Sequence, residues 1–480
     1  IACDVLARFK RLDGYSVKFL TGTDEHGQKV EKAAKSQNKS PLEYANLISK
    51  DFKSLTKTLN LSNDDFIRTT EKRHILAAQS LWSKLYENKH IYLDKYAGWY
   101  ALRDEAFYSE KEIINGKAPS GADVSWVEEE SYFFDLSKWQ DKLLEFYDKN
   151  PNFILPKSRM NEVKSFVKGG LRDLSVSRTS FEWGVKVPNN DKHIMYVWLD
   201  ALTNYLSAIG YPDTLENEYV NFWPADIHMV GKDILRFHAV YWPAFLMAAE
   251  LPLPKRIFAH GWWTNEGKKI SKSEGNVIDP LEIISSYGLD QIRYFLLREV
   301  PFGSDGDFSK TALLARINGD LSNDLGNLCQ RVISMIYKNC NGFIPRKCEK
   351  LNDRDIIFYN KSNALYEKVK NEIDKQSFHE AIKLIWAFIS DANKYVDEQA
   401  PWKLRKTDER RMNDVLWILA DTIRKIAIIV QPFMPDSSTK ILDQLSIDIS
   451  ERDFSYLDSK HAIKTNKINS PSPIFPRIEE

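Results

Sequence analysis

The sequence predicts an α/β fold that is interrupted by an inserted β-containing module and followed by a bundle of helices. A short apolar run, Val17 to Leu20, leads through a turn into a helical stretch that ends near Ala34. Aromatic-rich segments broken by turns dominate residues 91–187. From about Lys310 onward, apolar residues recur at steps of three and four, which is typical of amphipathic helices.

Length and composition indicate a multi-domain protein outside the membrane. The 480 residues exceed one ordinary core, so we expect two to four units of roughly 150 residues each. Basic and acidic residues balance at 67 each, so any RNA site must be a local patch. No apolar run approaches the roughly 20 residues of a membrane helix. Four cysteines, none paired as C-x-x-C, fit a reducing cytoplasm rather than a disulfide framework or a zinc site.

The first element forms half of a βαβ unit. Asp24 follows the apolar run directly, at the strand end where α/β sheets bind ligands. A carboxylate there could hold a cationic group. The alternative is a helix N-cap, because Asp24 also precedes a helical stretch.

The α/β pattern resumes after the inserted module, at Met195 to Leu199 and at Ile227 to Val230. Two sets of residues with helical spacing follow these runs, and each set shares one helix face. They are Trp198, Ala201, Leu202 and Tyr205, and then Ile234, His238 and Trp242. Such faces are usually core, and a lone buried histidine is usually satisfied by a neighbour. No second ligand stands at metal spacing from His238, so we expect no zinc there.

A short basic segment lies between glycines 267 and 275. Two ammonium groups three residues apart suit a polyphosphate, because fixed positive charge stabilises the charge that builds on phosphoryl oxygens. The alternative is a solvated basic turn. The segment reads Lys269-Ile270-Ser271-Lys272-Ser273.

In the helical third, Asn327 and Arg331 are one turn apart on a predicted helix, and Trp402 closes an Ala-Pro-Trp segment. Exposed bases can stack on Trp and accept hydrogen bonds from Arg, and the amide of Asn can both donate to and accept from their pairing edges. An ordinary polar helix face is the alternative. The Asn-, Ser- and Pro-rich tail after Lys464 is expected to be loosely attached.

The basic segment resembles the KMSKS signature of class I aminoacyl-tRNA synthetases, with Ile270 in the Met position. Four further segments look like methionyl-tRNA synthetases, and the resemblance runs from residue 1 to roughly Pro435. The segments are Gly22-Thr23-Asp24-Glu25-His26-Gly27, Tyr196-Val197-Trp198-Leu199-Asp200-Ala201, Ala225-Asp226-Ile227-His228-Met229-Val230-Gly231-Lys232-Asp233 and Asp397-Glu398-Gln399-Ala400-Pro401-Trp402.

This resemblance implies a Rossmann-like catalytic domain with a connective-peptide insertion and an all-α anticodon-binding bundle. The implied division is 1–90 with 190–255 for the split catalytic domain, 91–189 for the insertion, 256–310 for the basic segment and stem-contact region, 311–465 for the bundle and 466–480 for the tail.

The resemblance also implies roles for the candidate residues. Asp24 holds the ammonium of methionine, and Gly231 and Asp233 meet the adenosine of ATP, although Asp233 could also be a helix cap. Lys272, helped by Lys269, is catalytic and contacts ATP. The methionine side-chain pocket comprises Trp198, Ala201, Leu202, Tyr205, Ile234, His238 and Trp242. Asn327, Arg331 and Trp402 bind the anticodon CAU.

The chain departs from the family in two places. Where many relatives carry zinc-binding cysteine pairs, it has Gly98 to Tyr108, so we expect a zinc-free knuckle held by aromatic packing. The HIGH signature of the family would lie just upstream of Ile1, and the chain begins without an initiator Met or a signal peptide. We therefore expect a missing N-terminus and impaired catalysis in the chain as given.

The expected function is a methionine–tRNA ligase that uses ATP with Mg²⁺ and binds tRNA(Met). We expect it to be a cytoplasmic monomer with no membrane partner. Two alternatives stay open: a class I synthetase for another apolar amino acid, and a catalytically inactive tRNA-binding relative. The first would normally carry a larger editing insertion than about 100 residues, and the presence of Lys269, Lys272, Gly231 and Asp233 argues against the second.

Overall fold

A computed structural model describes residues 1–104, 106–108, 110–270, 276–347 and 350–479. The chain forms two compact units. We name residues 18–260 the α/β unit, and residues 1–17 together with 261–480 the helical unit. Among the described residues, no helix has both the length and the apolar character that crossing a membrane requires.

The predicted strand, turn and helix are present near the start of the chain. Helix α1 (Ala2–Leu12) belongs to the helical unit, and the α/β unit follows it. The strand starts at Leu20 rather than Val17, and it pairs in parallel with the next strand. The unit begins with β1 (Leu20–Thr23), α2 (Gln28–Ser36), α3 (Pro41–Thr58), β2 (Asp65–Arg68) and α4 (Lys72–Glu87).

The aromatic-rich segments form an antiparallel sheet. Its strand order is β4-β3-β5-β7, and β3 and β5 pair along ten successive positions from Ile91↔Phe134 to Tyr100↔Ser125. The elements are β3 (Ile91–Ala101), β4 (Ala106–Tyr108), β5 (Ser125–Phe134), α5 (Gln140–Lys149), β6 (Ile154–Leu155), α6 (Lys157–Lys168) and β7 (Leu174–Ser175).

The rest of the α/β unit returns to alternating strands and helices around one apolar core. A parallel sheet of order β11-β12-β6 and an antiparallel sheet of order β8-β10-β9 supply its strands. The elements are β8 (Ser177–Arg178), β9 (Lys186–Val187), β10 (Asn190–Met195), α7 (Val197–Leu202), α8 (Asn204–Ser207), α9 (Asn217–Phe222), β11 (His228–Gly231), α10 (Trp242–Ala248) and β12 (Ile257–His260).

The helical unit combines a small sheet with long helices. Helix α18 (Glu409–Val430) is the most buried of the described helices, because every residue from Val415 to Val430 is buried. A π-helical stretch, Ile317–Gly326, precedes α14. The elements are β13 (Trp263–Asn265), β14 (Lys268–Lys269), α11 (Pro280–Tyr287), α12 (Leu289–Arg298), β15 (Gly306–Phe308), α13 (Lys310–Arg316), α14 (Asn327–Asn339), α15 (Asp353–Asp374), α16 (Phe378–Gln399), α17 (Pro401–Thr407), α18 (Glu409–Val430) and α19 (Pro435–Gln444).

The tail is not loosely attached, contrary to the sequence-based expectation. Ile468 and Phe475 are buried, and the backbone of Ile478 exchanges two hydrogen bonds with the side chain of Asn318. Polar composition misled the prediction because a few apolar residues suffice to anchor the segment.

The two units also group residues 1–17 with the C-terminal part, whereas the proposed domain division places them with the catalytic domain. That division stays a prediction.

Candidate active site

Asp24 stands at the carboxyl edge of the β1–β2 pair, directly after Thr23. Its side chain is exposed. Helix α2 is preceded by Gly27 as its N-cap, at a φ of 101°. The alternative in which Asp24 caps the following helix is therefore wrong. An exposed carboxylate at this edge can meet a ligand.

Glu25, the next residue, is buried and fixes the loop that carries Asp24. Its two carboxylate oxygens accept hydrogen bonds from Nε and Nη2 of Arg68 at 2.8 and 2.9 Å, and the hydroxyls of Thr23 and Thr70 each donate at 2.6 Å. Burial raises the pKa of Glu25, but these hydrogen bonds outweigh it and bring the pKa below its ordinary value. We name Glu25, Thr23, Arg68 and Thr70 the Glu25 clamp, which was not predicted from the sequence.

His26 connects the same loop to a fully buried carboxylate. Nδ1 of His26 lies 2.6 Å from Oδ2 of Asp200, and Nε2 of His74 lies 2.7 Å from Oδ1. Burial raises the pKa of Asp200, but the two histidines outweigh it and lower the pKa to about 2. The carboxylate is thus ionised at neutral pH.

Trp183 closes the loop from another side. Its Nε1 donates to the carbonyl oxygen of Glu25 at 2.6 Å, and the amide of Gly27 donates to the carbonyl oxygen of Trp183 at 3.1 Å. The rings of Trp183 and His26 meet edge to face, with centroids 5.3 Å apart. Every residue from Glu25 to Gly27 is therefore held by a neighbour in space.

The structure brings most of the predicted side-chain pocket together. The hydroxyl of Tyr205 lies 2.8 Å from Nε2 of His238, and the rings of Tyr205 and Trp242 are 6.3 Å apart. Trp198 approaches His238 edge to face at 6.4 Å and stacks on Phe237 at 3.7 Å. Two further predicted residues, Ala201 and Leu202, are buried on the same helix as Trp198.

Burial and one carbonyl group fix the direction of the Tyr205–His238 hydrogen bond. Burial lowers the pKa of His238 to about 4, so the ring is neutral at neutral pH. Its Nδ1 lies 3.0 Å from the carbonyl oxygen of Ile234, which can only accept, so Nδ1 carries the proton. Nε2 is then an acceptor, and the Tyr205 hydroxyl donates to it.

The helix predicted from the spacing of Ile234, His238 and Trp242 is not a regular α-helix. A 3₁₀ turn, Lys232–Ile234, is followed by a π-helical turn, Phe237–Tyr241, and only then by α10. Residue spacing alone does not distinguish these geometries, and π-helical turns are frequent at functional sites. Ile234 and His238 remain joined by the hydrogen bond described above.

His228 is a member of this cluster that the sequence analysis did not select. It is buried, its ring centroid is 3.9 Å from that of Tyr205, and burial brings its pKa well below the ordinary value. Neither of its ring nitrogens has a hydrogen-bond partner among the described residues. Its place at the start of β11, the strand that ends at Gly231, is the signal that could have found it.

Gly231 and Asp233 lie side by side at the carboxyl end of β11. A Cβ at position 231 would lie 2.5 Å from Oδ1 of Asp233, so glycine permits this close approach. Asp233 is exposed and lies inside the turn Lys232–Ile234, whose N-cap is Gly231. The alternative in which Asp233 caps this turn is therefore wrong.

The basic segment begins in a β-hairpin of the helical unit. Strand β14 pairs with β13, and the two turn residues Glu266 and Gly267 have φ values of 49° and 76°, as a tight hairpin requires. The amide of Gly267 donates to Oδ1 of Asp307 at 2.8 Å. Ile270 is the last described residue before a gap. The side chain of Lys269, and residues 271–275 with Ser271, Lys272 and Ser273, lie outside the described part.

Two of the three predicted anticodon residues lie together in the helical unit. The guanidinium of Arg331 lies 5.4 Å from the ring centroid of Trp402, which is half-exposed, and its Nη2 lies 2.6 Å from Oδ1 of Asp397. Asn327 is exposed at the start of α14. Asp397 was not predicted, although it lies in a segment that carries the family resemblance.

The knuckle expected to lack zinc contains an aromatic pair. Trp99 and Trp126 meet edge to face with centroids 5.4 Å apart, and the hydroxyl of Tyr108 donates to Asp104 at 2.9 Å. Among the described residues, no group of three or more His, Cys, Asp or Glu side chains is arranged to hold a metal ion. Absence of zinc stays a prediction.

Comparison with known proteins identifies the family. Residues 1–125 and 111–333 match the family described as tRNA synthetases class I (M), and residues 344–480 match the anticodon binding domain of methionyl tRNA ligase. The chain belongs to the methionyl-tRNA synthetase family. The fold class and family expected from the sequence are confirmed.

Individual relatives cover the whole chain. The methionine–tRNA ligase of Rickettsia felis is 55% identical over 483 residues, which cover 100% of this chain and 94% of that protein. The enzyme of Brucella suis biovar 1 is 51% identical over 485 residues, with the same shares of both chains.

The structural neighbours agree with the sequence relatives. The methionyl-tRNA synthetase of Mycobacterium tuberculosis bound by methionyl-adenylate is 48% identical, with a TM-score of 0.96, covering 99% of this chain and 95% of that one. Its apo form gives a TM-score of 0.90 at 45% identity, covering 100% and 94%. The expectation of impaired catalysis is not borne out by these comparisons.

Proposed function

We propose that the protein is a methionine–tRNA ligase. It activates methionine with ATP, forming methionyl-adenylate and pyrophosphate, and then transfers methionine to the 3′ end of tRNA(Met). The observation that carries the proposal is the similarity, over nearly the whole chain, to a synthetase solved with methionyl-adenylate. The aromatic cluster of the α/β unit supports it, because a thioether is polarizable and favours aromatic edges.

Methionine is proposed to bind in the α/β unit. The carboxylate of Asp24 binds its ammonium group, and the neutral ring of His238 and the hydroxyl of Tyr205 line the pocket of its side chain. The full set of pocket residues is Trp198, Ala201, Leu202, Tyr205, Ile234, His238 and Trp242.

ATP is proposed to approach Gly231, because a side chain there would fill the space beside Asp233. The carboxylate of Asp233 accepts hydrogen bonds from the ribose hydroxyls. A carboxylate oxygen of methionine attacks the α-phosphorus, and the bond from that phosphorus to the pyrophosphate oxygen breaks. Lys272, helped by Lys269, stabilises the charge that develops on the phosphates; Mg²⁺ bound with ATP would supply further positive charge to the phosphate oxygens.

The second step transfers the activated methionine to tRNA. A ribose hydroxyl of the terminal adenosine attacks the carbonyl carbon of the adenylate, and AMP leaves. No side-chain nucleophile is required, so the protein contributes positioning and fixed charge. Asn327, Arg331 and Trp402 bind the anticodon CAU, where the half-exposed ring of Trp402 offers a stacking surface and Arg331 offers donors.

Several finer features belong to the same proposal. The enzyme is a cytoplasmic monomer, its knuckle holds no zinc, and its domains divide as the family resemblance implies.

Charging of tRNA tests this function directly. We expect transfer of methionine to a tRNA with anticodon CAU and much weaker charging when the anticodon is changed. An inactive relative would bind the tRNA without charging it. A synthetase for another apolar amino acid would charge a different tRNA with that amino acid.

A further inference from the structure

Three buried residues of the α/β unit form a hydrogen-bonded bridge that the proposed function does not use. The carboxylate of Asp200 has no solvent exposure, and its two oxygens bond to different histidines, His26 at 2.6 Å and His74 at 2.7 Å. We name these three residues the Asp200 bridge. The histidines come from separate parts of the chain, 174 and 126 positions from Asp200.

Each of the two histidines of the Asp200 bridge connects Asp200 to a segment that carries a residue of the proposed methionine site. His26 lies two residues after Asp24 in the same loop, and Asp200 itself lies on α7 between Trp198 and Ala201. His74, on α4, continues through Nδ1 to the hydroxyl of Ser207 at 3.0 Å.

Ser207 ends α8, the short helix that also carries Tyr205. The bridge therefore connects the loop of the ammonium-binding carboxylate to α7 and α8, two of the helices that carry pocket residues. Glu25 and Trp183 hold the same loop, but their hydrogen bonds run to Arg68, to threonines and to the loop backbone.

A buried charge is an expensive way to join elements, since apolar residues of similar volume often stabilise a fold equally well. Hydrogen bonds to a carboxylate are instead directional, and they fix the orientation of the rings that donate them. A fixed orientation matters where two protein groups must bind the same ligand at the same time.

We propose that Asp200 is a positioning residue for methionine. Through His26 it holds Asp24 in a fixed position relative to the helices of Trp198 and Tyr205. The ammonium group and the side chain of one methionine molecule can then be bound at the same time. The inference rests on the proposed function and adds to it the residue that aligns the two halves of the methionine site.

Protonation of His26 gives the bridge a measurable signature. The charged groups that face His26 are Asp200, Asp24 and Glu25, the last of which is paired with Arg68. Burial lowers the pKa of His26, but the three carboxylates outweigh it and raise the pKa above the ordinary value. A protonated ring beside Asp24 opposes binding of the substrate ammonium, so the KM for methionine should rise as pH falls from about 8 to about 6.

The test measures kcat and the separate KM values for methionine and ATP in ATP–pyrophosphate exchange. Asp200→Asn should raise the KM for methionine about 10- to 100-fold, because a hydrogen bond to a charged group is lost, and change the KM for ATP less than about twofold. His26→Ala should raise the KM for methionine similarly. His26→Asn keeps a donor near the position of Nδ1 but does not titrate, so it should restore the wild-type KM at about pH 8 and abolish its pH dependence.

Asp421→Asn is the matched control. Asp421 is equally buried, is paired with Arg424 and Lys425, and belongs to the helical unit. It should lower the melting temperature and leave the KM for methionine unchanged.

The inference is overturned if folded Asp200→Asn protein keeps its KM for methionine within about twofold of the wild type, or loses methionine and ATP affinity equally. If Asp200→Asn does not fold, the two His26 variants decide, and equal KM values for methionine at every pH overturn the inference. Failure of the proposed function is a separate result, because the wild type would then show no methionine-dependent exchange.

Discussion

The hydroxyl of Tyr205 donates a hydrogen bond to Nε2 of His238 across 2.8 Å, inside the proposed methionine pocket. Removing the hydroxyl leaves a buried acceptor without its donor, which costs about 1 to 3 kcal/mol. We expect Tyr205→Phe to lower the free energy of unfolding by that amount. The KM for methionine should rise about tenfold, because the ring of His238 then keeps only its hydrogen bond to the carbonyl oxygen of Ile234.

The matched control for this change is Tyr219→Phe. Tyr219 is buried in the same unit, and its hydroxyl has no hydrogen-bond partner among the described residues. Urea unfolding and methionine-dependent pyrophosphate exchange should therefore be unaffected. Equal effects of the two substitutions would contradict the assigned hydrogen bond.

The carboxylate of Glu25 should stabilise the fold in a pH-dependent manner. Its folded-state pKa is below the ordinary value, so its contribution is complete above the unfolded pKa, near about 4.3, and is lost as pH falls through the folded pKa. Glu25→Gln should lower the free energy of unfolding at neutral pH by about 3 kcal/mol. Below about pH 4, urea unfolding should give a smaller difference in the free energy of unfolding between Glu25→Gln and wild type.

Glu145→Gln serves as the control for Glu25. It removes an exposed carboxylate that pairs with Lys149 on the same helix, so its effect should be small at every pH. The stabilising role of Glu25 would be disproved if the difference in the free energy of unfolding between Glu25→Gln and wild type grew on acidification.

Arg331 and Trp402 should govern tRNA recognition without affecting amino-acid activation. Stacking of a base on an aromatic ring is worth about 1 to 3 kcal/mol, so Trp402→Ala should lower kcat/KM for tRNA about 10- to 100-fold. Trp402→Phe should retain much of the activity. Pyrophosphate exchange without tRNA should be unchanged in both variants.

Arg354→Ala is the matched control in the helical unit. Arg354 pairs with Glu398, the neighbour of the residue that pairs with Arg331, and has no proposed role with the anticodon. Arg331→Ala should lower the charging of tRNA, and an equal loss of charging in Arg354→Ala would place the anticodon site elsewhere.

The purified enzyme should contain less than stoichiometric zinc. The aromatic contact between Trp99 and Trp126 joins the two long strands of the knuckle, so we expect that no metal is needed there. Elemental analysis after dialysis against a chelator measures the metal content. One zinc ion per chain, retained through dialysis, would refute the prediction.

The sequence predicted those features that depend on local pattern. The strand before Asp24 and the helical third follow from the period of apolar residues, whereas the single helix predicted from the spacing of Trp198 and Tyr205 is divided into α7 and α8. The family resemblance, rather than spacing, is what favours a methionine pocket over ordinary core at these residues. Local pattern also predicted a regular helix around His238, where the structure has a π-helical turn.

Interactions between distant parts of the chain could not be predicted in this way. Asp200 and His26 are 174 positions apart, and Glu25 and Arg68 are 43 apart. Each pair is brought together by strands and helices whose packing no short segment encodes. Buried charged residues among apolar neighbours were the available signal, since such residues rarely lie inside a fold without a partner.

Methionine-dependent ATP–pyrophosphate exchange, compared across methionine, isoleucine, leucine and valine, tests the central claim most directly. The proposed function predicts exchange with methionine and at most weak exchange with the other three, because only the thioether gains from the aromatic pocket of Trp198, Tyr205 and Trp242. Stronger exchange with one of the other amino acids, or no exchange with any of them, would contradict it.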